Sequence, residues 1–256
     1  MLIATPRQQD IVSLAREIGR VDVDMLAERF NVTPQTIRKD LNDLCEQGVL
    51  HRYHGGAVLA TGVVNFGYEA RRQLATSEKR RIGVKAAALI PDNSSILINI
   101  GTTTEQVATA LRGHRGLLVI TNNINVVNIL SGNMEIEVIV AGGVVRPSDG
   151  GVVGETAVDF IRQFKVDYAV IGASAIDEAG VLLDYDYREV KVARAIMDNA
   201  RRTILVADAM KYNRVAPVRI GNIGEINCFV TDEPPPEPIA ELCREHGVAL
   251  EIADPA

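Results

Sequence analysis

The chain has 256 residues, of which 47% are hydrophobic and 23% charged, with a formal net charge of −6 at pH 7. Apolar runs such as VKAAALI and EVIVAGG fall far short of the ~20 residues a membrane-spanning helix needs, and MLIATPRQQD turns polar too early for a secretory signal. Cys45, Cys228 and Cys243 stand far apart without zinc-like spacing, so buried reduced thiols, no metal, no cofactor and a cytoplasmic protein away from membranes are expected.

Ile11, Leu14, Ala15 and Ile18 recur at helical spacing until Gly19 ends the run. A second short helix covers DVDMLAERF, with Asp22 or Asp24 as its capping residue and a tight turn at Asn31-Val32. Thr33 then caps a third helix, while Pro34 fills its first position, where no N–H is needed. This helix, PQTIRKDLNDLCEQG, stops at Gly48. At about 100° per residue, Ile37, Leu41, Leu44 and Cys45 share one side. Gln35, Lys39 and Asn42 point away, flanked by Thr36 and Arg38. Helix, short turn, helix is helix-turn-helix architecture, and the outward donors suit base edges and phosphates. VLHRYHGGAVLA follows as a hairpin turning near Gly55-Gly56, which sets His51, Arg52, Tyr53 and His54 along a wing. The plain alternative is an amphipathic helix followed by a solvated hairpin.

Residues 61–76 keep no sustained period and read as a linker, with a short helix near Tyr68–Leu74. Residues 1–81 hold 12 Lys+Arg against 10 Asp+Glu, and the remainder 15 against 23, with the local basicity concentrated at Arg71-Arg72 and Lys79-Arg80-Arg81. This balance permits nucleic-acid binding by the first part without a domain-wide basic field. A helix starts at Ser77 and is stopped by Pro91. From there the apolar runs SILINI, LLVIT, IEVIVAG, DYAVIGAS, TILVAD, CFVTD and ALEIA alternate with EQVATALR, INVVNIL, AVDFIRQF, EVKVARAIMDNA and PIAELCREHG. Strands this apolar, separated by helices, predict a mostly parallel sheet covered on both faces, with its ligand site beyond the carboxyl ends of the strands.

The residues just after those strands are Gly101, Thr102, Thr103 and Thr104; Thr121, Asn122 and Asn123; Gly142 and Gly143; and Asp208 and Lys211. LLDYDYREV adds Asp184, Asp186 and Glu189 at a helix entrance. Singly each loop is a routine turn or cap, but together they predict a polar crevice. The Gly-Thr-Thr-Thr turn admits three readings: a cap, an anion cradle or a nucleophile. A helix N-terminus with hydroxyl donors suits phosphate, and no histidine neighbours the threonines in sequence, so a cradle that also caps is expected. His114, in RGHRG, reads as a surface loop residue. Neither G-x-x-x-x-G-K-[ST] nor a strand-borne G-x-G-x-x-G is present, which argues against nucleotide triphosphate and dinucleotide sites.

VTPQTIRKDLNDLCEQGVLHRYHGGA resembles the winged-helix signature of DeoR-type bacterial repressors, a T-x-x-T-I-R-[RK]-D-L helix followed by an R-x-H-G-G-A wing. INIGTTTE, ITNN, VAGG, DGGVVGE, GASAID and VADAMK resemble the effector domain of the same family, which is similar to sugar-phosphate isomerases. The resemblance implies an α/β protein with a winged helix-turn-helix domain at 1–60, a linker at 61–76 and an effector domain at 77–256. It implies double-stranded operator DNA as a partner, met by Thr33, Gln35, Thr36, Arg38, Lys39 and Asn42 on the recognition helix and by Arg52 and His54 in the wing. It further implies a homo-oligomer, dimer or tetramer, that is released by a small phosphorylated metabolite. DGGVVGE, DFIRQFKVDYAVIG and LLDYDYREV resemble most the branch that answers to sn-glycerol 3-phosphate and controls glycerol genes.

Two departures stand out. Many members carry Asp where this chain has Asn99, and a family Glu-x-x-x-Lys pair falls on Glu189 and Ala193, leaving Lys191 or Arg194 as replacement cations. The rival reading is an isomerase, for which Asp184, Asp186, Glu189 and Asp208 are candidate bases by type.

Overall fold

A computed structural model of the chain, describing residues 5–18, 20–46, 49–53, 55–59, 68–73 and 75–254, divides it into two units, Met1–Leu74 and Ala75–Ala256. The first unit runs α1 (Pro6–Ile18), β1 (Arg20–Asp22), α2 (Val23–Phe30), α3 (Pro34–Glu46), β2 (Leu50–Tyr53), β3 (Gly56–Leu59) and α4 (Tyr68–Gln73). Ile11, Leu26, Ile37, Leu41, Leu44 and Leu50 are fully buried in one core, each such side chain contributing about 1.5–3 kcal/mol. Asn31 ends α2 in the left-handed conformation (φ 49°), its amide donating to the Ala27 and Glu28 carbonyls. Asp22 occupies the cap position of α2, but its carboxylate makes no capping hydrogen bond. Asp40, on the inner side of α3, accepts from Arg7 Nε (2.6 Å) and Gln8 Nε2 (3.3 Å) and so ties α1 to α3.

The hairpin β2–β3 is antiparallel and pairs Tyr53 with Gly56. Gly55 sits there at φ 93°, a conformation that favours glycine. β1, absent from the sequence expectations, adds to β3 and completes a three-stranded sheet in the order β1-β3-β2. The linker expected at 61–76 lies partly outside the described residues, while α4 supplies the short helix expected near Tyr68.

The second unit begins with α5 (Thr76–Ala88), β4 (Ser95–Ile98), α6 (Thr102–Leu111), β5 (Leu117–Thr121), α7 (Ile124–Leu130), β6 (Ile136–Val140), β7 (Val144–Val145), β8 (Val152–Val153) and α8 (Glu155–Ile161). It continues through β9 (Val166–Ile171), β10 (Ala175–Ile176), β11 (Val181–Asp184), α9 (Tyr187–Asp198), β12 (Ala200–Val206), β13 (Val218–Asn222), β14 (Cys228–Thr231), α10 (Glu237–Glu245) and β15 (Ala249–Ile252). Seven strands form one sheet in the order β15-β14-β12-β9-β4-β5-β6, every pairing parallel. They are the seven apolar runs of the sequence. Successive side chains alternate between faces. Ile96 and Ile98 therefore join the core under α5, α6 and α7, while Leu97 joins the core under α8, α9 and α10.

From β4 the chain proceeds outward through β5 and β6, and from β9 it proceeds the other way through β12, β14 and β15. β4 and β9 are neighbours, so the order reverses between them, the switch point beyond whose carboxyl ends sheets of this kind hold their ligands. α5 crosses α6 closely: a Cβ on Gly83 would lie 2.6 Å from the Gln106 carbonyl carbon. Two small sheets, β7-β8 and β10-β11-β13, were not expected from sequence. Of the cysteines, Cys243 is buried, whereas Cys45 and Cys228 are half-buried rather than enclosed as expected. His114 is also half-buried, its Nε2 meeting the Ile90 carbonyl at 3.0 Å.

Candidate functional site

In the first unit the outward side of α3 is polar throughout. Gln35, Arg38, Lys39 and Asn42 are exposed and Thr36 is half-buried, opposite the buried Ile37, Leu41 and Leu44. Thr33 caps the helix, its Oγ1 accepting from the Thr36 amide (3.2 Å) and sharing a hydrogen bond with Thr36 Oγ1 (2.9 Å). Arg52 is exposed on β2, and His54 lies outside the described residues.

In the second unit Gly101 holds the cap position of α6. The expected threonine cap is therefore replaced by a residue with no side chain, and Thr102, Thr103 and Thr104 lie inside the first turn. Their amides have no acceptor within the helix and no side-chain cap, an arrangement open to an anion. Thr104 Oγ1 turns back to donate to the carbonyls of Asn99 and Gly101, both at 2.8 Å. Thr121 Oγ1 donates to the Ile98 carbonyl (2.7 Å) and accepts from the Asn123 amide (3.0 Å). Asn123 caps α7 through the Asn125 amide (2.9 Å). Glu105, buried and unremarked in sequence, accepts from the side chains of Asn123 (3.2 Å) and Asn125 (3.1 Å), bracing α6 against α7. These groups shape the crevice through the backbone. Asn99 and Asn122 are 2% and 0% exposed, and the carboxamide oxygen of each lacks a hydrogen-bond partner.

The β12 end of the crevice adjoins the threonine loop. A Cβ on Gly172, just after β9, would lie 3.8 Å from the Val206 carbonyl and 3.9 Å from Thr104 Cγ2. Beyond β12, Asp208 caps a short 3-10 turn by accepting from the Met210 amide (3.2 Å). Burial pushes the Asp208 carboxyl up, but the charges of Lys211, Lys79 and Arg214 and the Met210 amide outweigh it and hold it below its ordinary value. Lys79, which in sequence belongs to a run of surface charge, is 4% exposed. Its signal was helical: Lys79, Ile82, Gly83, Ala86 and Ala87 form the buried stripe of α5.

On the other side, Gly142 and Gly143 are exposed and lead into β7. Arg146, which sequence reading passed over, joins the β7–β8 hairpin to α9. Its guanidinium donates in a fork to Asp149 (2.8 and 2.6 Å) and reaches Asp186 (2.9 Å) and Glu189 (2.5 Å). Burial disfavours its charge, yet the Asp149 hydrogen bond and the Glu189 charge raise its pKa further above the usual value. Arg188 and Arg146 in turn hold Asp186 below the usual carboxylate range. Neither cation proposed for the missing lysine meets Glu189: Lys191 pairs with Glu155 (2.6 Å), Arg194 with Glu225 (2.6 Å), and Ala193 is buried. Arg146 takes that place from a different element. Asp184 accepts from Ser174 Oγ (2.8 Å) and the Tyr185 amide (2.6 Å). A separate open groove of about 390 Å³, lined by Leu89, Tyr168, Ile204 and Cys228, lies toward the amino ends of the strands and shares none of these residues.

A winged helix followed by a parallel sheet with a polar crevice at its switch point defines a DNA-binding regulator with its own sensing unit. The chain belongs to the DeoR family: residues 7–63 match the DeoR-like helix-turn-helix domain and residues 74–233 the DeoR C-terminal sensor domain. The glycerol-3-phosphate regulon repressor of Escherichia coli (strain K12) is 44% identical over 97% of this chain and 98% of its own, and its Haemophilus influenzae counterpart 42% over 97% and 96%. The transcriptional repressor CsqR of Escherichia coli is 42% identical over 97% of this chain and 95% of its own. Among solved structures, ribose 5-phosphate isomerase A from Neisseria gonorrhoeae aligns with 54% of this chain and 53% of its own at 18% identity, with a TM-score of 0.39. Among the described residues no helix is long and apolar enough to cross a membrane.

Proposed function

We propose that the chain represses transcription by holding operator DNA with α3 and its wing, and that a small phosphorylated metabolite bound in the sensor crevice releases it. The observation that carries this reading is the uncapped first turn of α6, which offers its amides to an anion at the switch point of a sheet joined to a DNA-reading unit. The phosphate is held by the Thr102 and Thr103 amides with Lys211, and the Asn122 loop, Asp184 and Glu189 face the rest of the ligand. Thr36, Arg38 and Lys39 meet base edges and phosphates, with Arg52 and His54 in the wing. A homo-oligomer supplies two reading heads for two half-sites, acting in the cytoplasm. Residues 1–60 form the reading head, 61–76 the connection and 77–256 the sensor.

The relatives named for the glycerol-3-phosphate regulon support sn-glycerol 3-phosphate as the effector. CsqR, at nearly the same identity, supports a second reading in which another phosphorylated metabolite takes its place. Sensing is favoured over isomerase chemistry because Asp184, Asp186 and Glu189 are already engaged by Ser174, Arg188 and Arg146 rather than free to shuttle a proton.

Two measurements test the reading. Arg38→Ala should weaken operator binding by about 1–3 kcal/mol in a gel shift while the protein stays folded, and unchanged affinity removes α3 from the interface. Melting with sn-glycerol 3-phosphate, glycerol and other sugar phosphates should single out one ester, which stabilises by about 2.7 kcal/mol at a hundred times its Kd. Turnover of ribose 5-phosphate at enzymatic rates would reverse the ranking.

A further inference from the structure

We propose that β6, at one end of the seven-stranded sheet, is where two copies of this chain join, strand against strand in antiparallel register about Val138. The inference rests on the homo-oligomer of the proposed function and names the surface that builds it. Among the described residues β6 pairs with β5 and with no other strand. That pairing is unbroken from Ile136 opposite Leu117 to Val140 opposite Thr121. The Ala141 amide donates to the Thr121 carbonyl (2.8 Å), so the backbone of residue 141 faces β5. By alternation along a parallel ladder, the amides and carbonyls of Val138 and Val140 point away from β5, past the end of the sheet.

Proteins blunt such an edge with lysine, proline, a bulge or a covering segment. β6, Ile136-Glu137-Val138-Ile139-Val140, has neither lysine nor proline, and its register to β5 shows no bulge. Exposed apolar side chains gather around it instead. Of the seven large ones among the described residues, Met134, Val140, Val144 and Val145 fall within twelve positions. Apolar exposure concentrated in this way marks a protein interface. The opposite end strand, β15, is treated differently. Its Glu251 pairs with Lys85 (3.0 Å), and Arg81 donates to the carbonyls of Ala253 and Asp254 just beyond it.

The occupant is a second copy because the strand is complementary to itself. A two-fold axis through Val138 sets Val138 against its own copy, Ile136 against Val140 and Glu137 against Ile139. The outward amide and carbonyl of Val138 then meet the same groups of the other copy. The Val140 amide meets the Ile136 carbonyl, whose own amide is already spent on the Asn133 carbonyl (3.2 Å). Ile136 and Val138 belong to the core under α5, α6 and α7, and Val140 follows on the same face, so that face of the junction becomes one apolar stripe. Glu137, the single charge in the strand, meets Ile139 and not its own copy, so no like charges are opposed.

Analytical ultracentrifugation of the full chain tests the assignment. The wild type should sediment as an oligomer, and Val138→Lys, which opposes a lysine to its own copy, should halve the mass. Val138→Glu should halve it likewise. Mixing these two variants should restore the wild-type mass, because position 138 then meets an opposite charge, a rescue that a merely structural defect would not show. Melting temperatures report folding separately. Where the variants at 138 fail to fold, Val140→Lys, at a side chain already 40% exposed, should halve the mass in their place. A wild-type mass in whichever lysine variant folds, or no recovery on mixing the folded pair, overturns the β6 junction and leaves the homo-oligomer to another surface. A monomeric wild type overturns the homo-oligomer reading as well.

Discussion

Arg146 concentrates the electrostatics of the sensor unit on one side chain. Asp149, whose side chain is 1% exposed, owes its burial as a charge to that guanidinium, and Asp186 and Glu189 crowd the same cation. Replacing it by methionine removes the cation that Asp149, Asp186 and Glu189 share, while Asp186 keeps Arg188. The expected cost is roughly 2–4 kcal/mol, somewhat under that of a fully buried pair because Asp186 is partly exposed, and urea denaturation measures it. Arg146→Lys should recover only part, since an ammonium cannot bond in a fork. A loss under about 1 kcal/mol for the methionine variant would show that the cluster does not hold the hairpin. Sequence reading passed over Arg146, although Asp149 stands only three residues on in VVRPSDGG. Its other partners lie 40 and 43 residues away, on a helix whose approach no local pattern announces. The threonines were legible as the entrance to a helix and misread in detail: a glycine caps the helix, and Thr104 faces its own backbone.

Among the elements, the contact between α5 and α6 sets where the first turn of α6 stands. Gly83→Ala would gain about 1 kcal/mol of helix propensity. Against that, its Cβ would lie 2.6 and 2.7 Å from the carbonyl carbon and oxygen of Gln106, backbone atoms that yield only if the helix moves. The clash wins, and net destabilisation of about 1–3 kcal/mol is expected in denaturant titration. Effector affinity should fall with it, because Thr102 and Thr103 lie one turn from Gln106. A stabilised variant would show that the helices part freely. Long elements were legible for a plain reason: strands buried on both faces need four or more apolar residues in a row, and helices need a stripe. β1, β7, β8 and β10, two or three residues each, are too short to carry either period.

For the whole molecule, one chain holding a reading head and a sensor makes a thermodynamic demand. If the metabolite weakens operator binding, the operator weakens metabolite binding by the same factor, with a coupling of about 1–3 kcal/mol. Titrating the metabolite into the protein with and without saturating operator should show a corresponding 5- to 150-fold difference. Equal affinities would mean that the crevice does not control DNA. Sequence could supply both parts and their order, because each has its own local signature. It could not supply their coupling, which resides in no motif.

The sheet also bears on how the protein comes into being. Helix α3 and the wing close over contacts among neighbours in sequence, whereas β4 must await β9, pairing Ile96 with Tyr168. Local contacts assemble fast and distant parallel pairings slowly. Emerging from the ribosome, the chain therefore completes its helix-turn-helix unit while the sheet of its second unit is still waiting for its central strands to meet.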